Sequence, residues 1–201
     1  MLVLGIDPGT RCLGWGLVRR QSSRLYHVDH GVIHLDPKLS LPDRLVRIDL
    51  ELGAVVRRHR PDVGSVETLF FHKDAQAAAK LGHARGVVLL RLAQEGVSVA
   101  EYAPARVKRT LVGTGQAEKR QVAMMVKVLL GLRAPPPSDA ADALALAITH
   151  LRLESLGRAL GGSAEGSAAA RLALFTRGRR RASADDWRRF MLGRRRTAAK
   201  I

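Results

Sequence analysis

The chain has a single cysteine, Cys12, among its 201 residues. That excludes a disulfide framework and any cysteine-rich zinc module. A chain of this length can bury a core without such staples. It contains no run of eighteen apolar residues, so no segment is expected to span a bilayer. The opening MLVLGIDPGT has no basic stretch ahead of its apolar run, which breaks at Asp7-Pro8-Gly9. A signal peptide is therefore not expected, and a cytoplasmic location is. Acidic groups are scarce too: 18 Asp+Glu stand against 34 Lys+Arg, a formal charge of +16 with a pI near 11.4. Such a surplus points first to nucleic acid as partner and second to an anionic membrane surface.

The charge is unevenly spread. Residues 158–201 hold 12 Lys+Arg and 3 Asp+Glu, whereas residues 1–157 hold 22 and 15. Composition shifts near Gly157, and Gly161 to Ser167 reads as a flexible linker. Beyond it come Arg177, Arg179–Arg181, Arg188–Arg189 and Arg194–Arg196, with one short helix expected from Ser183 through Met191. The expected organisation is a domain over 1–156 followed by a mobile basic tail over 157–201. A flexible cationic arm is also suited to contacting phosphates, because binding there releases counterions.

Within the domain, Leu2 to Asp7 is an apolar run closed by Pro8-Gly9, the pattern of a buried strand entering a turn. Cys12 to Val18 predicts its hairpin partner, and Leu25 to Leu35 a third strand. Leu45, Ile48, Leu52, Val55 and Val56 recur at helical spacing between Leu41 and Arg60, and Pro61 stops that helix. Two more strands are expected at Val63–Leu69 and Val97–Tyr102, separated by a long helix from Lys73 to Gln94. Helices from Pro104 to Val112, Glu118 to Leu132 and Ser138 to Leu156 complete the pattern, with no internal repeat. Three strands in hairpin order, then helices alternating with two strands, predict an α/β fold: a mixed five-stranded sheet flanked by helices.

Four carboxylates stand where a basic protein has no evident structural need of them. Asp7 ends the first strand and Glu67 comes late in the fourth. Asp139 and Asp142 open the last helix three residues apart, so both point from one face. If the first and fourth strands pair, Asp7 and Glu67 become neighbours, and a helix start packed there adds the other two. Such a cluster repels itself unless cations fill it, and Mg²⁺ or Mn²⁺ suit an all-oxygen donor set. Two such ions suit phosphodiester cleavage. Taken singly, each acid has a plainer reading. Asp139 and Asp142 fit ordinary first-turn acids complementing a helix dipole, Asp7 a turn residue, and Glu67 an exposed strand acid. The seven histidines have no ligand spacing, and His150 reads as a helix-end residue.

At these residues the chain resembles the RuvC-type Holliday junction resolvases of the ribonuclease-H-like superfamily. The likeness rests on GIDPGTRCLGWG (5–16), VETLFF (66–71), YAPARVKRTLVGTGQAEKRQV (102–122) and DAADALALAITH (139–150). It covers Met1 to about Leu153. The resemblance implies Asp7, Glu67, Asp139 and Asp142 as a catalytic, metal-holding quartet for two Mg²⁺ ions, with Mn²⁺ as substitute. It implies that Phe70 stacks on a base at the opened junction centre, and that Lys108 and Lys119 hold DNA phosphates. Packing in the core is the alternative for Phe70 and the favoured reading for Phe71. A homodimer and the branch-migration proteins RuvA and RuvB are the implied partners, with recombination and DNA repair as the setting. No counterpart of the tail is recognised.

Ala75, Ala79, Gly82 and Gly86 form a stripe of small residues on the long helix, suited to close packing against this protein's own sheet or against a second subunit. Two other functions share parts of the pattern. A YqgF-like nuclease acting on RNA shares the Asp7, Gly9 and Gly14 opening, but Arg11 falls one position early and the complete DAAD helix argues against it. A non-catalytic junction-binding protein predicts loss of a carboxylate, and none is lost. An actin-like sugar kinase needs a second, similarly folded domain that 201 residues cannot supply.

Overall fold

The computed structural model describes residues 1–68 and 75–159. Its strands are β1 (Leu2–Asp7), β2 (Cys12–Gln21), β3 (Arg24–His34), β4 (Val63–Glu67) and β5 (Ser98–Tyr102). Its helices are α1 (Leu41–His59), α2 (Ala75–Gln94), α3 (Pro104–Val112), α4 (Lys119–Leu130) and α5 (Ser138–Ala159). The strands form one sheet in the order β3-β2-β1-β4-β5. β1 pairs antiparallel with β2 and β2 with β3, while β1 pairs parallel with β4 and β4 with β5. This is the mixed five-stranded sheet expected from the sequence.

Strand alternation sorts side chains onto two faces. Leu4 and Ile6 of β1, Leu13 and Leu17 of β2 and Val66 of β4 pack with α1 and α2 through Ile48, Leu52, Val88 and Leu92. Val3 and Val18 face the other way, onto Val107, Val122, Val126, Leu144 and Ile148 of α3, α4 and α5. α5 is buried almost all round from Ala140 to Leu151, so it is a core helix lying against the sheet. Ser65 of β4 donates its hydroxyl to the Leu146 carbonyl at 2.9 Å, pinning strand to helix.

Element ends differ from expectation by short steps with local causes. β4 closes at Glu67, and Thr68 turns out of the strand while donating to the Tyr102 carbonyl. α4 stops at Leu130 because Gly131 adopts the left-handed conformation (φ 63°) and its N–H caps the helix. α5 runs past Leu156 to Ala159. Leu69, the expected start of α2 at Lys73, Phe70, Phe71, the Gly161–Ser167 linker and the Ser183–Met191 helix all lie outside the described residues. Among the described residues no helix is long and apolar enough to cross a membrane.

The small stripe on α2 does not pack on the protein's own sheet at its centre. Among the described residues, a methyl carbon on Gly82 or Gly86 would meet no atom within 4 Å. The sheet-facing side of α2 is instead Ala84, Val88 and Leu92.

Candidate active site

Register builds the first half of the site. Ile6 of β1 lies beside Val66 of β4 in a parallel pair, so the next residues, Asp7 and Glu67, end adjacent strands side by side. Both share strand parity with residues on the α5 face: Val3 and Gly5 in β1, Val63 and Ser65 in β4. Their carboxylates are thus set at the carboxyl edge of the sheet, toward the start of α5.

Glycines build the second half. Gly14 of β2 is the cross-strand partner of Asp7, and Gly16 is the partner of Gly5. A methyl carbon on Gly14 would lie 2.0 Å from the Asp139 carbonyl oxygen, and one on Gly5 would lie 1.8 Å from that of Ala143. At Gly16 it would strike the Leu144 side chain at 2.5 Å. Only glycine lets the first turns of α5 settle onto β1 and β2, and that contact brings Asp139 and Asp142 to the strand-end carboxylates. The sequence signal available for this was glycine inside strands, a mark of close backbone approach. The partner was not readable from it.

The acids feel one another strongly. Burial raises the Asp7 carboxyl from its ordinary 3.8 to about 7, helped by repulsion from Glu67, Asp142 and Asp139 and opposed by Lys119. Burial also raises Glu67, with Asp142 adding to it and Lys119 and Lys108 opposing. Lys119, the first residue of α4, sets its ammonium 3.0 Å from Asp142 Oδ2. That bond, with attraction from Asp142, Asp7 and Asp139, raises the lysine above its usual range. All four carboxylates and both lysines singled out in the sequence therefore meet in one electrostatic neighbourhood. Phe70 lies outside the described residues.

The donor chemistry fits hard divalent cations: four carboxylates, no competing soft ligand, and a repulsion that a cation relieves. The Lys119 ammonium already plays part of that role at Asp142. Among the described residues, no three His, Cys, Asp or Glu side chains close on a common point as ligands of a bound ion do. The site is a set of half-buried carboxylates coupled through charge. His150 sits within α5, accepting or donating at Nδ1 to the Tyr102 hydroxyl at 2.8 Å, away from any ligand role. Cys12 stands near Asp139, whose charge, after burial, raises the thiol, and its sulfur is 3.6 Å from His34 Nδ1.

A cleft of about 250 Å³ lies at the opposite end of the sheet, lined by Val56, Arg57, Arg60 and Val97 among others. It is smaller than the usual range of small-molecule sites, and it holds none of the coupled acids.

Residues 3–150 match the family model described as crossover junction endodeoxyribonuclease RuvC. A protein of that name from Sorangium cellulosum (strain So ce56) is 61% identical over 163 residues, covering 81% of this chain and 91% of the relative. Another, from Sphingopyxis alaskensis, is 50% identical over 151 residues, covering 75% and 96%. Among solved structures, T. thermophilus RuvC in complex with Holliday junction substrate superposes with a TM-score of 0.74 at 39% identity, covering 78% of this chain and 96% of that one.

Proposed function

The chain belongs to the RuvC family of crossover junction endodeoxyribonucleases, and from that premise we propose that it resolves four-way DNA junctions by paired, metal-dependent nicks in homologous recombination and repair. The observation carrying this reading is the pairing of β1 with β4, which ends on Asp7 and Glu67, beneath a helix start seated on Gly14. Its mixed sheet flanked by helices is the ribonuclease-H-like fold of the family.

In this reading Asp7, Glu67, Asp139 and Asp142 are the catalytic residues that hold the metal, two Mg²⁺ ions with Mn²⁺ as substitute. When bound, the ions supply activation of water and neutralisation of charge at the leaving oxygen. The chain's own groups do the rest. Lys119 and Lys108 carry positive charge at the carboxylate edge and orient a DNA phosphate there, a positioning contact that reads no sequence. Phe70, three residues beyond Glu67, stacks on a base at the unpaired centre of the junction.

The enzyme acts as a homodimer in the cytoplasm, with α2, its half-buried Gly82 and its exposed Gly86 in the contact, and works with RuvA and RuvB. Residues 1–156 form the nuclease domain, and 157–201 a linker and basic arm. Incubating the purified chain with four-way junction, linear duplex and structured RNA, with and without Mg²⁺, tests this. Junction should be cut with Mg²⁺ only, and duplex and RNA left intact. Preferential cutting of RNA would replace this reading with the RNA-nuclease one.

A further inference from the structure

Glu67 is held at its main chain as well as placed by register. Its carbonyl closes β4, where the ladder ends, and Arg85 of α2 donates Nε–H to it at 3.3 Å. The same guanidinium bonds the Glu101 carboxylate on β5, and Glu101 is the β5 partner of Val66. The Arg85 side chain is only 17% exposed. Val66 packs toward α1 and α2, so Arg85 works from the face of the sheet opposite to α5.

We propose that Arg85 is a positioning residue for metal-dependent cleavage: by fixing the Glu67 carbonyl from behind the sheet, it sets the aim of the Glu67 carboxylate beside Asp7. The Glu67 carbonyl and the Thr68 N–H belong to one rigid peptide plane, and anchoring that plane just past the Glu67 Cα limits how far the strand end, and with it the Glu67 side chain, can swing. The Thr68 N–H anchors that plane on one side through the Tyr102 carbonyl and Arg85 anchors it on the other, and among the described residues no β4–β5 pairing lies beyond Glu67 and Tyr102. An exposed ion pair alone contributes little. The planar fork of arginine, by contrast, reaches two acceptors in fixed geometry, and a lysine offers only a point charge to the same pair. Outer groups that orient metal-holding carboxylates have effects of about 10–100-fold on affinity or rate.

This inference rests on Glu67 being a metal-holding residue, and the experiment separates the two. The full chain is prepared as wild type, Arg85→Met, Arg85→Lys, Glu101→Gln and Glu67→Gln. Each is titrated with Mn²⁺ while thermal unfolding is followed, and each is assayed for single-turnover cleavage at saturating junction. Arg85→Met should raise the Mn²⁺ midpoint about tenfold and slow the saturated rate about 10–100-fold, with junction affinity in metal-free buffer within about twofold of wild type. Arg85→Lys should fall between, and Glu101→Gln, which keeps the carbonyl bond, should stay within about threefold of wild type. A wild-type midpoint and rate in Arg85→Met overturn the proposal, as does a Glu101→Gln variant as impaired as Arg85→Met. If Arg85→Met does not fold, Arg85→Lys decides: intermediate losses support the proposal and wild-type values overturn it. An unchanged Mn²⁺ midpoint in Glu67→Gln would instead remove the reading of the site beneath it.

Discussion

At the scale of single residues, the site stores repulsion that metal relieves. Asp7 titrates near 7 in the folded protein, against an ordinary 3.8, first because it is buried and then because Glu67, Asp142 and Asp139 repel its charge. The folded state therefore binds this proton more tightly than the unfolded chain does. Stability is favoured by the proton below about pH 4 and falls as pH rises to about 7, where the full cost is reached. In EDTA at pH 8, Asp7→Asn should unfold at least about 2–4 °C above wild type, the shift expected for about 1 kcal/mol in a chain of this size. At pH 4 that advantage should vanish, and added Mg²⁺ should raise the wild type more than the variant. Scanning calorimetry at the two pH values measures this. A Tm for Asp7→Asn below wild type at pH 8 would show that Asp7 is held by favourable bonds instead of strained by its neighbours.

At the scale of elements, the site depends on how closely α5 lies on β1 and β2. The alanines of α5 and the glycines of the two strands remove the side chains that would separate them. Gly14→Ala puts a methyl carbon within 2.0 Å of a backbone oxygen, and backbone cannot swing aside as a flexible side chain does. Overpacking of this kind costs about 1–3 kcal/mol, so the variant should lose several degrees of Tm. Its Mn²⁺-induced stabilisation should fall disproportionately, because the displaced residue is Asp139 itself. Gly131→Ala is the control: it strains a left-handed cap far from the carboxylates and should lower Tm without changing the metal response. Equal metal responses in the two variants would disconnect Gly14 from the site.

The same elements mark what sequence reasoning reaches. Apolar runs and apolar periodicity located all ten elements, the runs marking elements buried on both faces such as β1 and α5, the periodicity those buried on one face. Their ends shifted where a backbone cap decides, as at Gly131, or where residues outside the apolar pattern continue a helix, as at Arg158 and Ala159 of α5. The strand-end positions of Asp7 and Glu67 were legible from the apolar runs preceding them. Spacing left Asp139 open to a plain helix-dipole role, and only the family likeness favoured the metal-holding one. Gly14 against Asp139 and Arg85 behind Glu67 were beyond reach, since both follow from register and packing between segments distant in the chain.

At the scale of the whole molecule, a four-way junction has near-twofold symmetry, and a twofold dimer presents two equivalent sites through a single kind of interface. Two nicks are needed, because one leaves the duplexes joined. Among the described residues a Cβ at Gly82 or Gly86 meets no atom within 4 Å, so Gly82→Leu starts into open space. It should leave the fold intact while shifting dimer to monomer in sedimentation at micromolar concentration, with paired incision lost. A variant still dimeric and active would move the contact to another face, and a wild type that stays monomeric on junction DNA would refute the dimer.

The most direct measurement is single-turnover cleavage of a four-way junction by wild type, Asp7→Asn, Glu67→Gln, Asp139→Asn and Asp142→Asn, with junction affinity measured alongside. In the proposed reading, phosphate affinity comes from lysines and arginines, while each carboxylate holds metal. Each variant should bind the junction as tightly as wild type or tighter, yet cut it slower by at least about a hundredfold. Wild-type cleavage rates in two or more of the four would contradict the assignment of these carboxylates as one metal-holding active site.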